Sequence, residues 1–220
     1  MANQRFFKEH VPLLGLDVKT MRSIKRDLLE EVGPDWTIRN AVAFCNAMIR
    51  DPHVEVRALA FEVVARFVGE ASPNLLPTIK RWLAKSCTNW ALVDNLAPSV
   101  LGPLLDRHPT LIPEVVDWTE SKNLWVRRGA AVAFVPLARK GRRLATAYRI
   151  ASRLFRHKED LMHKAVGWLL REAGKTDMPR LEKFLLQHGP KMPRTTVRYA
   201  IERFPEADRK RLRLATRPTR

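Results

Sequence analysis

Cysteine is nearly missing from this sequence: only Cys45 and Cys87 occur, and both fall inside apolar helical patterns. A disulfide framework is thereby excluded, and two buried thiols in a reducing compartment are expected. Acidic residues are also scarce. Asp and Glu number 23 against 40 Lys and Arg, which leaves a formal net charge of +17. An excess of that size points to a polyanionic partner, because each phosphate neutralised by Lys or Arg releases condensed counterions. An anionic membrane surface is the rival partner, but no apolar run approaches the roughly 18 residues of a spanning helix. The opening stretch MANQRFFKEH also lacks the apolar core of a signal peptide. A soluble, cytoplasmic, nucleoid-associated protein that does not touch a membrane is expected.

Several motifs are absent as well. There is no CxxC, HExxH or EF-hand pattern, and the closest histidines, His157 and His163, do not share a helix face. No metal site is expected. Without a Walker loop or a GxGxxG turn, no nucleotide or other cofactor is expected either. Alternating β-type runs bounded by tight turns are missing too.

What remains is helical periodicity, broken at Gly33-Pro34, Asp51-Pro52, Ser72-Pro73 and Gly189-Pro190. The breaks leave helices of about 10 to 18 residues. A repeat runs through them. DPHVEVRALAFEVV from Asp51 parallels SKNLWVRRGAAVAF from Ser121: each passes from a polar turn into Val-Arg, with an alanine three residues after that Arg. HKEDLMHKAVGW from His157 and KMPRTTVRYAI from Lys191 are weaker copies, and SCTNWALVDNLAPSV fills the gap. The anchors fall near residues 57, 92, 127, 163 and 198, a step of about 35 residues, which is one helical hairpin. One hairpin cannot bury its apolar face alone, so stacked neighbours must supply the core. The fold class expected is all-α, a HEAT-like α-α solenoid with a basic concave face. Residues 1–208 would form one repeat domain and 209–220 a flexible basic tail. A solenoid needs no second copy to close its core, so a monomer is expected.

Arg57, Arg127, Lys164 and Arg198 recur near the start of the second helices. They read either as contacts between repeats, the better account of Arg57 and Arg127, or as a track of phosphate ligands. Of six tryptophans, most belong to packing. Trp90 stands out because Asp94 follows four residues later, on the same helix face. It keeps company with Trp125-Val-Arg-Arg128 and with Lys164-Ala-Val-Gly-Trp168-Leu-Leu-Arg171-Glu172.

The stretches NWALVDNLAPSVLG, RHPTLIPEVVDWTESKNLWVRRGAAVAF and HKAVGWLLREAGKT resemble the AlkD family of DNA alkylation repair glycosylases, and KEHVPLLGL and MPRTTVRYAI fit as well. The resemblance covers nearly the whole chain. It implies that Asp94 is the catalytic carboxylate, that Trp90 and Trp168 are the active-site tryptophans, and that Arg128 helps to bind DNA. Phe6 stands where the family often has a tyrosine near the lesion, and Asn89 replaces the first of a tryptophan pair. Implied too is a monofunctional enzyme that acts on double-stranded DNA. It would cleave the glycosidic bond of cationic alkylpurines such as 3-methyladenine and 7-methylguanine, without flipping the base out of the helix. From the residues themselves, Arg194, Thr195, Thr196 and Arg198 after Pro193 read either as a phosphate perch or as simple capping. Lys164 and Arg171 join the candidate DNA contacts. The alternatives are a non-catalytic repeat protein that binds branched or damaged DNA, and a scaffold for an acidic protein.

Overall fold

The computed structural model describes residues 4, 7, 9–33 and 35–218. Among the described residues the chain is helical and has no strand. Its internal packing divides it into two compact units, Met1–Arg107 and His108–Arg220.

The first unit holds α1 (Val18–Val32), α2 (Ile38–Met48), α3 (Val54–Phe67), α4 (Leu76–Lys85), α5 (Trp90–Leu96) and α6 (Gly102–Arg107). α3 is central, packed against α2 and α5. Its Ala60, Phe61, Val63 and Val64 are buried with Cys45 of α2 and with Leu92, Val93 and Leu96 of α5. Short polar side chains start these helices. Asp17 accepts a hydrogen bond from the Thr20 amide at 2.7 Å, and Asn89 accepts one from the Leu92 amide at 3.1 Å. Each satisfies a donor that the first helical turn leaves without an internal partner. The extended segment before α1 is tied to α3: Glu55 accepts the Leu14 and Gly15 amides at 3.1 and 3.0 Å, and Val54 donates to the Pro12 carbonyl at 3.1 Å.

The second unit holds α7 (Ile112–Asp117), α8 (Leu124–Val132), α9 (Val135–Arg139), α10 (Leu144–Leu154), α11 (Asp160–Gly174), α12 (Met178–His188), α13 (Arg194–Ala200) and α14 (Glu206–Ala215). α11 is its axis and packs against α8, α9, α10, α12 and α13. Where a flexible tail is expected from Arg209, the chain is instead helical to Ala215, with Leu212 and Thr216 fully buried.

The repeat has a physical basis. α3, α5, α8, α11 and α13 open at residues 54, 90, 124, 160 and 194, which holds the period read from the sequence. Arg57 donates to the Asp51 carbonyl, six residues back, and to the Ser86 carbonyl at 3.2 Å. Arg127 does the same with the Ser121 carbonyl, six residues back at 2.7 Å, and with the Glu159 carboxylate. In the next repeat His163 takes the arginine's place, its Nε2 lying 2.6 Å from the His157 carbonyl, again six residues back. A carbonyl only accepts, so that nitrogen carries the proton. Arg57 and Arg127 are therefore contacts between repeats. Arg127→Ala is expected to lower unfolding stability by about 2 kcal/mol, the value of a buried charge-assisted hydrogen bond. A urea melt measures the loss.

The helices are often shorter than the sequence pattern suggests, because prolines interrupt it. Pro136 ends the run that begins at Leu124 and starts α9. Pro98 lies one turn after Asp94 and has no N–H to give the Asp94 carbonyl. There the helix widens into a π turn at Ala97–Leu101.

Candidate functional site

In the first unit, Trp90 and Asp94 sit one turn apart on α5, and both are partly exposed. Asn89 immediately before them is buried as the N-cap of α5, so it has a structural task. The Trp90 ring stacks on Phe7, with centroids 5.5 Å apart and planes at 25°. Phe6 lies outside the described residues. Phe7 was not singled out by sequence reasoning, and a phenylalanine pair offers no spacing by which to choose between its members.

Asp94 also borders a cleft of about 670 Å³ between α1, α3 and α5. Met21 and Lys25 of α1, Ala58 and Glu62 of α3, and Asn95 and Ser99 after Asp94 share its walls. Lys25 Nζ lies 2.8 Å from a Glu62 carboxylate oxygen, and the Asn95 amide donates to the other Glu62 oxygen at 3.2 Å. Ser99 donates to the Asn95 carbonyl. Sequence reasoning did not find this cluster, since its members come from three helices with no common motif.

In the second unit, Trp168 is partly exposed on α11. Lys164, one turn earlier, pairs with Asp160 at 2.8 Å. Arg171 pairs with Glu202 and, from Nε at 3.3 Å, with Glu172. Glu172 itself is almost fully buried and takes Arg139 at 2.8 Å and Lys175 at 2.6 Å. Burial alone would raise the Glu172 carboxyl, but hydrogen bonds from Lys175 and Arg139 outweigh it and hold the group below its ordinary value. A depressed folded value means that the ionised form stabilises the fold. That stability is complete above the unfolded glutamate value of about 4.3 and is lost as pH falls through the folded value. Glu172→Gln is therefore expected to cost about 1–2 kcal/mol at neutral pH, reduced because Arg139 and Lys175 are partly solvated. The gap between parent and variant urea midpoints should close as pH drops below that window.

Arg128 is 4% exposed and donates to the Leu161 carbonyl at the start of α11. Thr196 is fully buried and donates to the His163 carbonyl at 3.2 Å, tying α13 to α11. Arg194 donates to the Thr216 and Arg213 carbonyls at 2.8 and 3.0 Å, closing the end of α14. Thr195 is partly exposed, and Arg198 is exposed with its guanidinium 5.7 Å from the Tyr199 ring centre. The second unit thus brings Arg128, Lys164, Trp168, Arg171 and Thr196 onto α8, α11 and α13, and turns Arg194 toward α14. Capping accounts for Arg194, and a helix–helix tie accounts for Thr196. Trp82 and Trp118 are buried packing residues.

Among the described residues, no group of three or more His, Cys, Asp or Glu side chains is placed to hold a metal, and no helix is long and apolar enough to cross a membrane.

Stacked helical hairpins with a Trp-Asp helix and a Gly-Trp helix define an all-helical repeat class. Within that class the chain belongs to the DNA alkylation repair enzyme family, whose profile matches residues 1–204. A solved structure described as a predicted DNA alkylation repair enzyme from Enterococcus faecalis is 18% identical over 92% of this chain and 93% of its own, with a TM-score of 0.79. At that identity the likeness speaks for the fold. No curated protein matches.

Proposed function

We propose that this protein is a monofunctional DNA glycosylase that hydrolyses the N-glycosidic bond of cationic N3- and N7-alkylated purines in duplex DNA, the opening step of base excision repair. The observation that carries the reading is the pairing of Trp90 with Asp94, one turn apart on α5 and partly exposed beside a cleft.

A purine alkylated at N3 or N7 carries positive charge and is already a good leaving group. As its bond to C1′ breaks, positive charge builds on the sugar, and a nearby carboxylate stabilises that charge. Asp94 is assigned this role, together with taking a proton from the attacking water. Trp90 is assigned a cation–π contact to the charged nucleotide, worth about 0.5–2 kcal/mol depending on desolvation, and Trp168 is assigned to DNA binding on its own unit. Phe7 covers one face of the Trp90 ring and limits how far it can turn. No step asks for the base to leave the stack, and none asks for a metal or redox group. Duplex binding is assigned to the net charge of +17, with Lys164, Arg171, Thr195 and Arg198 as phosphate contacts, while Arg128, buried on the Leu161 carbonyl, would act by fixing the start of α11. Lys164 and Arg171 would exchange their present carboxylate partners for phosphate oxygens. The protein would work as a cytoplasmic monomer on nucleoid DNA.

Incubation with methylated duplex DNA tests the reading, with free bases resolved by chromatography. Release of 3-methyladenine and 7-methylguanine is expected. Tight duplex binding without release of either base would move the reading to a non-catalytic protein of damaged DNA.

A further inference from the structure

We infer that the cleft between α1, α3 and α5 delivers the attacking water to Asp94, and that Asn95 and Glu62 are positioning residues for that water. The inference rests on the glycosylase reading above and assigns a task to side chains that reading leaves unused.

Asn95 follows the carboxylate directly and lines the same cleft. Its amide nitrogen is committed to Glu62, whose other oxygen is held by Lys25 at 2.8 Å. A carboxylate only accepts, so this contact fixes which end of the amide faces Glu62 and turns Oδ1 the other way. That oxygen is buried, and no described protein group lies within hydrogen-bond distance of it. A buried carbonyl oxygen left without a donor costs free energy, and we assign that place to a water entering from the adjoining cleft, with a small turn of the side chain to receive it. Ser99 spends its hydroxyl proton on the Asn95 carbonyl, which leaves its oxygen as a second acceptor facing the same space. Met21, Ala58 and Pro98 add apolar wall between the polar groups, and Asp94 borders the same cleft as Asn95 and Ser99.

The reaction balances with this supply. The water oxygen bonds to C1′ and one of its protons passes to Asp94. The C1′–N electron pair leaves with the base, which cancels the positive charge of its ring. Duplex DNA covers the partly exposed side of Asp94 in the complex, and the cleft then offers water a path that the substrate does not block.

The test compares the full-length parent with Asn95→Leu and Ala58→Leu on duplex DNA carrying a single 7-methylguanine. Asn95→Leu removes the acceptor, whereas Ala58→Leu narrows the cleft and leaves the polar chain intact. Each is expected to lower kcat about tenfold with the Kd for lesion DNA unchanged, for Asn95→Leu the size of one lost hydrogen bond and for Ala58→Leu through the narrowed path. Glu62→Leu removes the acceptor that holds the Asn95 amide and should lower kcat with the Kd unchanged, as Asn95→Leu does. Added methanol supplies a readout that simple loss of packing would not move. If the nucleophile arrives through the cleft, the ratio of methyl glycoside to abasic sugar will differ between parent and the Asn95→Leu and Ala58→Leu variants. An unchanged ratio and unchanged kcat in folded Ala58→Leu overturn the inference, even if Asn95→Leu fails to fold. A parent that releases no base overturns the glycosylase reading, and this inference with it.

Discussion

Asp94→Asn should leave duplex binding within about twofold of the parent while cutting base release by two to four orders of magnitude, roughly the range for loss of a positioned carboxylate. The substitution is nearly isosteric and removes only the charge. Asp94 is partly exposed at the middle of α5, and the helix is started by Asn89 and held by Leu92, Val93 and Leu96, none of which the change touches. Stability should therefore stay close to parental. Binding should also persist, because most of the affinity is assigned to phosphate contacts made by cations elsewhere. What disappears is the negative charge facing the oxocarbenium-like sugar and the base that accepts the water proton. Filter binding and base release, run on one preparation, separate the two effects.

Gly167→Ala carries the second large effect, and its sign runs against intuition. In an exposed helix interior, alanine in place of glycine stabilises by about 0.5–1 kcal/mol. Here an added Cβ would lie 2.4 Å from the Tyr199 Cβ and 3.0 Å from the Thr196 carbonyl oxygen. Neither atom is the free end of a flexible side chain, so α13 as a whole must move away from α11. Overpacking of this kind costs about 1–3 kcal/mol, which outweighs the gain in helix propensity. Movement of α13 also strains the hydrogen bond from Thr196 to the His163 carbonyl. Trp168 is the next residue on α11, so base release should fall along with stability. Gly174→Ala gives an internal comparison, since its nearest obstacle at 2.3 Å is a terminal methyl of Leu181, which can rotate. Thermal unfolding of the two variants should show Gly167→Ala as the less stable. A Gly167→Ala protein as stable as its parent would mean that the α11–α13 contact is looser than described.

The hairpin repeat was legible because it depends on local spacing. A Val-Arg pair after a polar turn marks a contact between repeats at Arg57 and Arg127, which do the same work 70 positions apart in the sequence, whereas Arg198 of the third such pair is exposed. Trp90 and Asp94 were legible for a similar reason: one helical turn separates them, and periodicity alone places them on one face. The HKAVGWLLRE element drew notice for its unusual Gly-Trp pair, and the close approach of Tyr199 to Gly167 now explains the glycine. The Lys25–Glu62–Asn95 chain was not legible, because three separate helices contribute one residue each and any of the three could have been an ordinary surface group. For Thr196 and Arg194 the sequence left a phosphate perch and simple capping both open. A threonine and an arginine behind Pro193 fit either, and in the structure they donate to the His163 carbonyl and to the end of α14. Sequence spacing locates a residue along its own helix and says little about which neighbouring backbone lies within its reach.

The central claim, that Asp94 serves the cleavage of a glycosidic bond, is tested most directly with a duplex that carries one 7-methylguanine at a known position. Parent and Asp94→Asn proteins are each incubated with it, and hot alkali then cuts the strand wherever a base has been lost. A cut at the lesion with the parent, and almost none with Asp94→Asn although both bind the duplex, is the predicted result. Equal cutting by the two proteins would contradict the role given to Asp94, and no cutting by a parent that binds the duplex would contradict the glycosylase itself.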